Sequence, residues 1–245
     1  MIGRLIPRSV KHSRFGVYLQ RVLYPLMPGW VDEGRRLVQV SHLEEMLRRA
    51  NLDHSQARQV LNAGAGEGLY SDLLASIPEA SSIVEFDVSY AHHNRAKRFG
   101  SQMFVAASLT AIPFRSSHFD LILCSEVLEH VPDDRAALNE LVRVMRVGGW
   151  LLISVPTLPA VFDPNHVREG YTAEDLSGLL EDRKLDICAV TFCMHATFKF
   201  FLRSHRPGLT PKAWVWLLAW LDRRFPIGSP MDLIILARKP EIHAP

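Results

Sequence analysis

A run of small residues between two apolar stretches is the first feature with chemical content. Val60-Leu61-Asn62-Ala63-Gly64-Ala65-Gly66-Glu67-Gly68 joins a predicted strand to a predicted helix. Glycine permits the sharp turn, because a Cβ penalises the backbone angles it needs. It also lets a ligand approach the main chain closely. Asp87 closes the next apolar run, about 20 residues after Gly66, where a carboxylate accepts hydrogen bonds from two ribose hydroxyls. The pattern implies a nucleoside ligand. The glycines fall at 64, 66 and 68 and position 69 is Leu, which departs from the G-x-G-x-x-G dinucleotide fingerprint. There is no P-loop lysine, which argues against a nucleoside triphosphate.

Two histidines sit where a proton could be moved. His130 lies in Glu126-Val127-Leu128-Glu129-His130, and His166 in Asp163-Pro164-Asn165-His166-Val167-Arg168. Each segment follows a predicted strand, and loops at the carboxyl ends of parallel strands form the site crevice. Both are candidate catalytic bases. His130 has a second reading, as a residue that orders its loop by hydrogen bonding. His166 and Arg168 are candidate contacts to an oxygen-rich or anionic substrate; the alternative is a polar loop with a solvated arginine. No histidine pair has i, i+4 spacing with carboxylate support, and Cys124, Cys188 and Cys193 lack zinc spacing, so no metal is predicted. Three cysteines are also too few for a disulfide framework, which suits a reducing, cytoplasmic setting.

The elements that position these groups alternate strictly. Strands are predicted at Gln59–Asn62, Ser82–Asp87, Met103–Ala106, Phe119–Ser125, Trp150–Val155, Leu185–Phe192 and Met231–Ala237. FDLILCS is almost continuously apolar, as a strand buried on both faces should be. Helices are predicted at about 17–30, 36–50 and 69–76, from the second strand to about 98, and over 135–145 and 173–182, the last with Thr172 as N-cap. The alternation predicts a doubly wound α/β fold: a Rossmann-like, mostly parallel, seven-stranded sheet with helices on both faces. One domain over 1–245 is expected. It comprises an N-terminal helical cap (1–55), the Rossmann-like core (56–192 and 231–240) and an aromatic and basic helical insertion (193–230).

Composition narrows the class further. Apolar residues make up 48% of the 245-residue chain and its net charge is +2, which fits a globular protein and gives no general argument for nucleic acid. The first thirty residues carry Arg4, Arg8, Lys11, Arg14 and Arg21 and no acid. That reads as an amphipathic helix or as a transit peptide. The longest apolar run, Trp214 to Leu221, is far short of the ~20 residues that span a bilayer.

Four collinear segments resemble the class I S-adenosylmethionine-dependent methyltransferases, in particular the small-molecule subgroup. VLNAGAGEG is similar to that family's glycine loop, and IVEFDVS to its second strand with the ribose acid. LTAIPFRSSHFDLILCSEVLEHVPD is similar to the long signature through the fourth strand, and LVRVMRVGGWLLISVP to the following helix, Gly-Gly turn and fifth strand. The resemblance runs from about Val60 to Asp186. It implies S-adenosyl-L-methionine as cofactor, with Ala63, Gly64, Ala65 and Gly66 passing under its methionine part. Asp87 would bind the ribose, with Val88 or Ser89 near the adenine. Ser108 would take the adenine amino group, with Leu109 packing near the base. Cys124, Ser125 and Glu126 would line the sulfonium side. Asn62 and Ser108 depart from the family, which usually has an acid at each; both keep an acceptor and lose the charge. His92 and His93 start the helix beside Asp87 and are expected to be exposed or near the adenine edge rather than catalytic.

The implied function is methyl transfer to a small-molecule or lipid-like acceptor, at oxygen. The alternatives are a catalytically degenerate binding module and an enzyme using the same cofactor for non-methyl chemistry such as aminopropyl transfer. Between Phe192 and Met231 the chain interleaves Phe198, Phe200, Phe201, Trp214, Trp216, Trp220 and Phe225 with Lys199, Arg203, Arg206, Lys212, Arg223 and Arg224. Three readings compete: aromatics packed on the sheet with the basic residues outside, a lid over an apolar acceptor, or a helix resting on an anionic membrane. The last two agree on an apolar or lipid-linked substrate. The cap and the insertion are expected to cover the site.

Overall fold

The computed structural model describes residues 30–49, 59–66, 68–77, 82–89, 103–160, 163–204 and 212–241. The helices predicted near 17–30 and between the second and third strands, with His92 and His93, lie outside these residues, as does most of the predicted cap. By backbone contacts the chain divides into two compact units. The larger comprises Val40–Phe192 and Met231–Pro245; the described part of the smaller comprises 30–39, 193–204 and 212–230.

The larger unit is built on one seven-stranded sheet: β1 (Gln59–Ala63), β2 (Ser82–Asp87), β3 (Met103–Ala106), β4 (Phe119–Ser125), β5 (Met145–Pro156), β6 (Asp186–Cys193) and β7 (Asp232–Arg238). Their order is β3-β2-β1-β4-β5-β7-β6. β2 and β4 flank β1 in parallel, β3 and β5 extend the sheet in parallel, and β7 runs antiparallel to β5. The order reverses between β1 and β4. At such a switch point the connections leave in opposite directions and open a crevice at the carboxyl ends of the strands. The loops after β1 and β4, which carry the glycines and Glu126–His130, start there.

The central strands form because their residues are branched or aromatic and apolar, and bury on both faces. Leu61, Phe86, Phe119, Ile122, Leu151 and Ile153 are all buried in one core cluster. Helix α1 (Trp30–Arg49) begins earlier than the predicted 36, and α2 (Ser71–Ala75) is shorter than predicted. Helix α3 (Asp134–Val144) starts on the Asp133 carboxylate, which accepts from Ala136 N at 2.9 Å. It presents Ala137, Leu138, Leu141 and Val144 to the core, spaced three and four apart. The chain turns straight from Val144 into β5. Met145 already pairs with Phe119, and a register shift between Phe119 and Leu121 absorbs the Gly-Gly segment before Trp150. The predicted strand therefore begins five residues late. Helix α4 (Ala173–Glu181) is N-capped by Thr172, whose hydroxyl accepts from Asp175 N at 3.0 Å, as predicted.

One ionic clamp secures the connection from β3 to β4. From α3, Arg143 donates to the carbonyls of Phe114 (2.8 Å) and Ile112 (2.9 Å) and to Glu140 Oε1 (2.6 Å), while Glu140 Oε2 accepts from Ile112 N (2.8 Å). The bond from Arg143 chiefly holds the Glu140 carboxyl below the usual carboxylate range; partial burial opposes this and the Ile112 N–H assists. Arg143→Ala should cost about 1–2 kcal/mol in urea unfolding at neutral pH, a charged hydrogen-bond contribution reduced by partial exposure. The Glu140 pKa is depressed on folding. Its contribution is therefore complete above the unfolded carboxylate value and fades as pH falls through the folded one. The gap between wild type and variant should narrow below the usual carboxylate range, leaving the part due to the bonds from Arg143 to the Phe114 and Ile112 carbonyls.

The smaller unit contains α5 (Ala196–Ser204) and α6 (Lys212–Arg224), which pack on each other.

Candidate active site

The glycine loop is shaped by left-handed backbone angles and by its neighbours. Gly64, Gly66 and Gly68 have φ of +74°, +52° and +79°, a region side chains penalise. Gly64 N and Ala65 N both donate to the Phe86 carbonyl, at 2.9 and 2.8 Å, which ties the bend to the end of β2. A Cβ on Gly64 would strike the Val127 side chain, 2.6 Å from Cγ1. The loop after β4 is thus seated directly on the bend. A Cβ on Gly66 would meet no atom within 4 Å, so the main chain there is open to a ligand. Ala63 and Ala65 are buried and act through their backbone.

Asp87 stands at this bend. Its Oδ2 accepts from Gly66 N at 2.9 Å and its Oδ1 from Ser89 N at 2.9 Å. Two backbone donors fix the carboxylate, and each oxygen keeps acceptor capacity for a sugar hydroxyl. Val88 beside it is 81% exposed, an apolar surface for a flat base. Ala107 N donates to Asp87 O at 3.0 Å, which brings the Ser108 turn alongside. Ser108 is exposed, its hydroxyl accepting from Thr110 N (3.2 Å) and paired with the Thr110 hydroxyl (2.8 Å); Leu109 is buried beneath it. The open glycine bend, the fixed carboxylate and the exposed Val88 fit an adenosyl group.

Asn62 serves a different purpose from the one its position suggests. It is 2% exposed and donates through Nδ2 to Glu85 Oε1 at 3.0 Å. Glu85, fully buried on β2 directly across from Asn62, also accepts from the Ser71 hydroxyl. Asn62 thus binds the base of the loop to a buried acid. Sequence reasoning missed Glu85. Its signal was an acid between Val84 and Phe86, in a strand otherwise apolar, because a buried carboxylate persists only with partners.

Cys124 corrects the expected lining of the sulfonium side. Its side chain is fully buried in the core, and burial, with Glu129 and Glu126 nearby, pushes its thiol well above the usual range. Side chains alternate along a strand, so Ser125 takes the other face. Its hydroxyl pairs with that of Ser154 at 2.7 Å, and Ser154 donates to Glu126 Oε1 at 3.0 Å. Glu126 has φ +56°, a strained conformation for a non-glycine residue at the end of β4.

The loop from Glu126 continues into a 3-10 turn over Leu128–His130, which turns Glu129 inward to 1% exposure. Glu129 Oε1 lies 3.8 Å from His130 Nε2 and 4.0 Å from His166 Nε2, and the two rings meet edge-to-face with centroids 4.7 Å apart. His130 Nδ1 lies 3.2 Å from the Asn165 carbonyl. A carbonyl only accepts, so this bond puts the proton on Nδ1 and leaves the Nε2 of neutral His130 as a base beside Glu129. The structure thus unites the two predicted histidines and adds a carboxylate the sequence did not single out. Donor atoms of the three residues lie within 4.8 Å of one another, and a set drawn from two loops escapes any helical-spacing rule. Either a proton relay or a divalent cation can use such donors.

Arg168 is a second correction. Its guanidinium binds Asp134 Oδ1 at 3.2 Å and the Pro132 carbonyl at 3.0 Å and lies over the Tyr171 ring, whose hydroxyl donates to Asp134 Oδ2 at 3.2 Å. These bonds pin the 163–171 loop to the start of α3. With Val167 N donating to the Glu129 carbonyl at 2.9 Å, they hold His166 against Glu129. Arg168 thus serves as a clasp between the two loops, and its predicted contact to substrate does not appear among these bonds.

Comparison with known proteins agrees with this geometry. Residues 61–153 match the family described as "Methyltransferase domain". A Mycobacterium tuberculosis protein named "Probable S-adenosylmethionine-dependent methyltransferase" is 32% identical over 133 residues, 51% of this chain and 48% of that protein. A demethylmenaquinone methyltransferase of Beutenbergia cavernae is 34% identical over 121 residues, 48% of this chain and 50% of its own. The crystal structure of a SAM-dependent methyltransferase from Archaeoglobus fulgidus has the same fold, with a TM-score of 0.59 at 17% identity over 83% of this chain and 94% of that one. Fold and site together define a Rossmann-like domain for an adenosyl cofactor. The matched segment is a methyltransferase domain, and the chain is similar to S-adenosylmethionine-dependent methyltransferases. It spans about half the length of the curated relatives it matches.

Proposed function

We propose that the protein transfers the methyl group of S-adenosylmethionine to a hydroxyl of a small apolar acceptor, of the phenol or quinol type carried by lipid-linked rings. The observation that carries the choice of oxygen is the buried Glu129 facing His130 and His166. A sulfonium methyl is itself a strong electrophile, so transfer to a nucleophile without an acidic proton needs mainly alignment. A hydroxyl must also lose its proton, and a base beside the crevice supplies that step. In this reading Asp87 and the backbone at Gly64–Gly66 bind and orient the cofactor. His130 Nε2 takes the acceptor's proton, and Glu129 stabilises the resulting imidazolium. The demethylmenaquinone methyltransferase among the relatives supports an acceptor of the quinone type.

The test is incubation with labelled S-adenosylmethionine and a panel of short-chain demethylated quinols, catechols and amines. S-adenosylhomocysteine formed in step with an O-methylated product is the expected result. Tight cofactor binding with no turnover across the panel would favour the degenerate binding module. Methylthioadenosine as product, with decarboxylated cofactor supplied, would favour aminopropyl transfer. A product methylated only at nitrogen or carbon would overturn the assignment to oxygen.

A further inference from the structure

The 193–230 segment carries Lys199, Arg203, Arg206, Lys212, Arg223 and Arg224 and a single acid, Asp222. That acid is turned inward. It is fully buried, and its Oδ1 accepts from the backbone N–H of His195 (2.8 Å) and Phe198 (3.2 Å) at the start of α5. Its one negative charge is consumed as a helix cap and contributes nothing to the outer face. Leu218, four residues earlier on α6, is buried as well. These two residues define the inner side of the helix.

The opposite side is apolar and basic. At 100° per residue, Trp216, Trp220 and Arg223 follow one another on a stripe turned away from Leu218 and Asp222. Trp216 is 61% exposed and Trp220 58% exposed, and Arg223 and Arg224 are exposed beside them. Phe225 and Ile227 extend the patch past the helix end, with Ile227 at 67% exposure; Trp220 packs edge-to-face on Phe225, and the Arg224 guanidinium lies 5.5 Å from the same ring. Of the three readings of this segment, the disposition goes against the one in which the aromatics pack inward as a group. Phe198 does so, whereas Phe200, Trp214, Trp216, Trp220 and Phe225 do not.

We propose that this outer face of α6, with Phe225 and Ile227, is a docking surface for an anionic lipid bilayer. Tryptophan suits the boundary between headgroups and acyl chains, having an apolar body and a polar N–H. Arginines flanking it meet lipid phosphates. Charge selects this occupant. A second copy would bring two strongly basic segments together, and the aliphatic Ile227, the most exposed apolar side chain beside the tryptophans, suits the acyl-chain boundary of a bilayer better than a stack of bases. The proposal is independent of the acceptor's identity.

The test is sedimentation of the full chain with vesicles of phosphatidylcholine, with and without phosphatidylglycerol. Binding to the anionic vesicles at low salt is expected, falling at high salt as screening sets in. Trp216→Ser with Trp220→Ser, and separately Arg223→Glu with Arg224→Glu, should each weaken it by about tenfold or more. Both pairs are exposed, and an unchanged melting temperature and cofactor affinity would show that the variants remain folded. Failure to sediment at low salt, equal binding to neutral vesicles, wild-type binding by both variants, or displacement by single-stranded RNA would overturn the proposal. Cofactor titration on the same samples keeps that outcome separate from failure of the methyl-transfer reading.

Discussion

Replacing Asp87 with alanine should weaken S-adenosylmethionine binding by about 100- to 1000-fold, measured by calorimetric titration. The magnitude follows from two charge-assisted hydrogen bonds to ribose hydroxyls, each contributing roughly 1.5–2 kcal/mol at a partly exposed site. The carboxylate is held by Gly66 N and Ser89 N, so it is oriented before the ligand arrives and little ordering cost offsets the gain. Asp87→Asn tests the charge. One amide oxygen remains as an acceptor, but the amino group brings a donor to a place already supplied with N–H groups and hydroxyls. Its affinity should fall between the two. The unliganded proteins should differ little in melting temperature, because both lost backbone bonds lie at a partly exposed loop. An alanine variant that binds as wild type does would mean that the sugar lies elsewhere, and the role of the glycine bend would fall with it.

The limits of sequence reading are clearest at individual residues. Ser82–Asp87, Met103–Ala106 and Phe119–Ser125 are found at their predicted bounds, because runs of branched and aromatic residues ended by polar ones admit few alternatives. Asp87 was legible because its role depends on where a strand ends. Cys124 was not, because a strand buried on both faces has no polar alternation to show which side chain faces the crevice. Arg168 reads as a candidate substrate contact because its ion-pair partner Asp134 comes from another element, at the start of α3. Glu129 reads as a solvated loop acid until a 3-10 turn rotates it inward; the apolar Val127 and Leu128 before it were the available signal. Asn62 and Glu85 teach the same lesson together. The acid expected at 62 occurs on the neighbouring strand, and only the register that sets Asn62 opposite Glu85 relates the two.

Loss of the Glu129 carboxylate should lower kcat by about 100-fold or more, the usual yield of general base catalysis, while cofactor affinity stays near that of the wild type. Glu129→Gln preserves volume and one acceptor, so the change isolates the charge that stabilises a protonated imidazole. His130→Gln should have a comparable effect, because it removes the Nε2 base while keeping a donor for the Asn165 carbonyl. The double variant should be little worse than either single one, since the two residues act as one unit. The dependence on pH separates a base from a structural prop. Without the relay, a hydroxyl acceptor must ionise on its own, so the variants' rates should keep rising with pH after the wild-type rate has levelled off. A prop that merely shapes the crevice would lower the rate equally at every pH. If instead the acceptor reacts through carbon or nitrogen without a proton to shed, both variants should retain most of their activity. The buried acid would then be explained as a loop anchor, holding Val127 over Gly64.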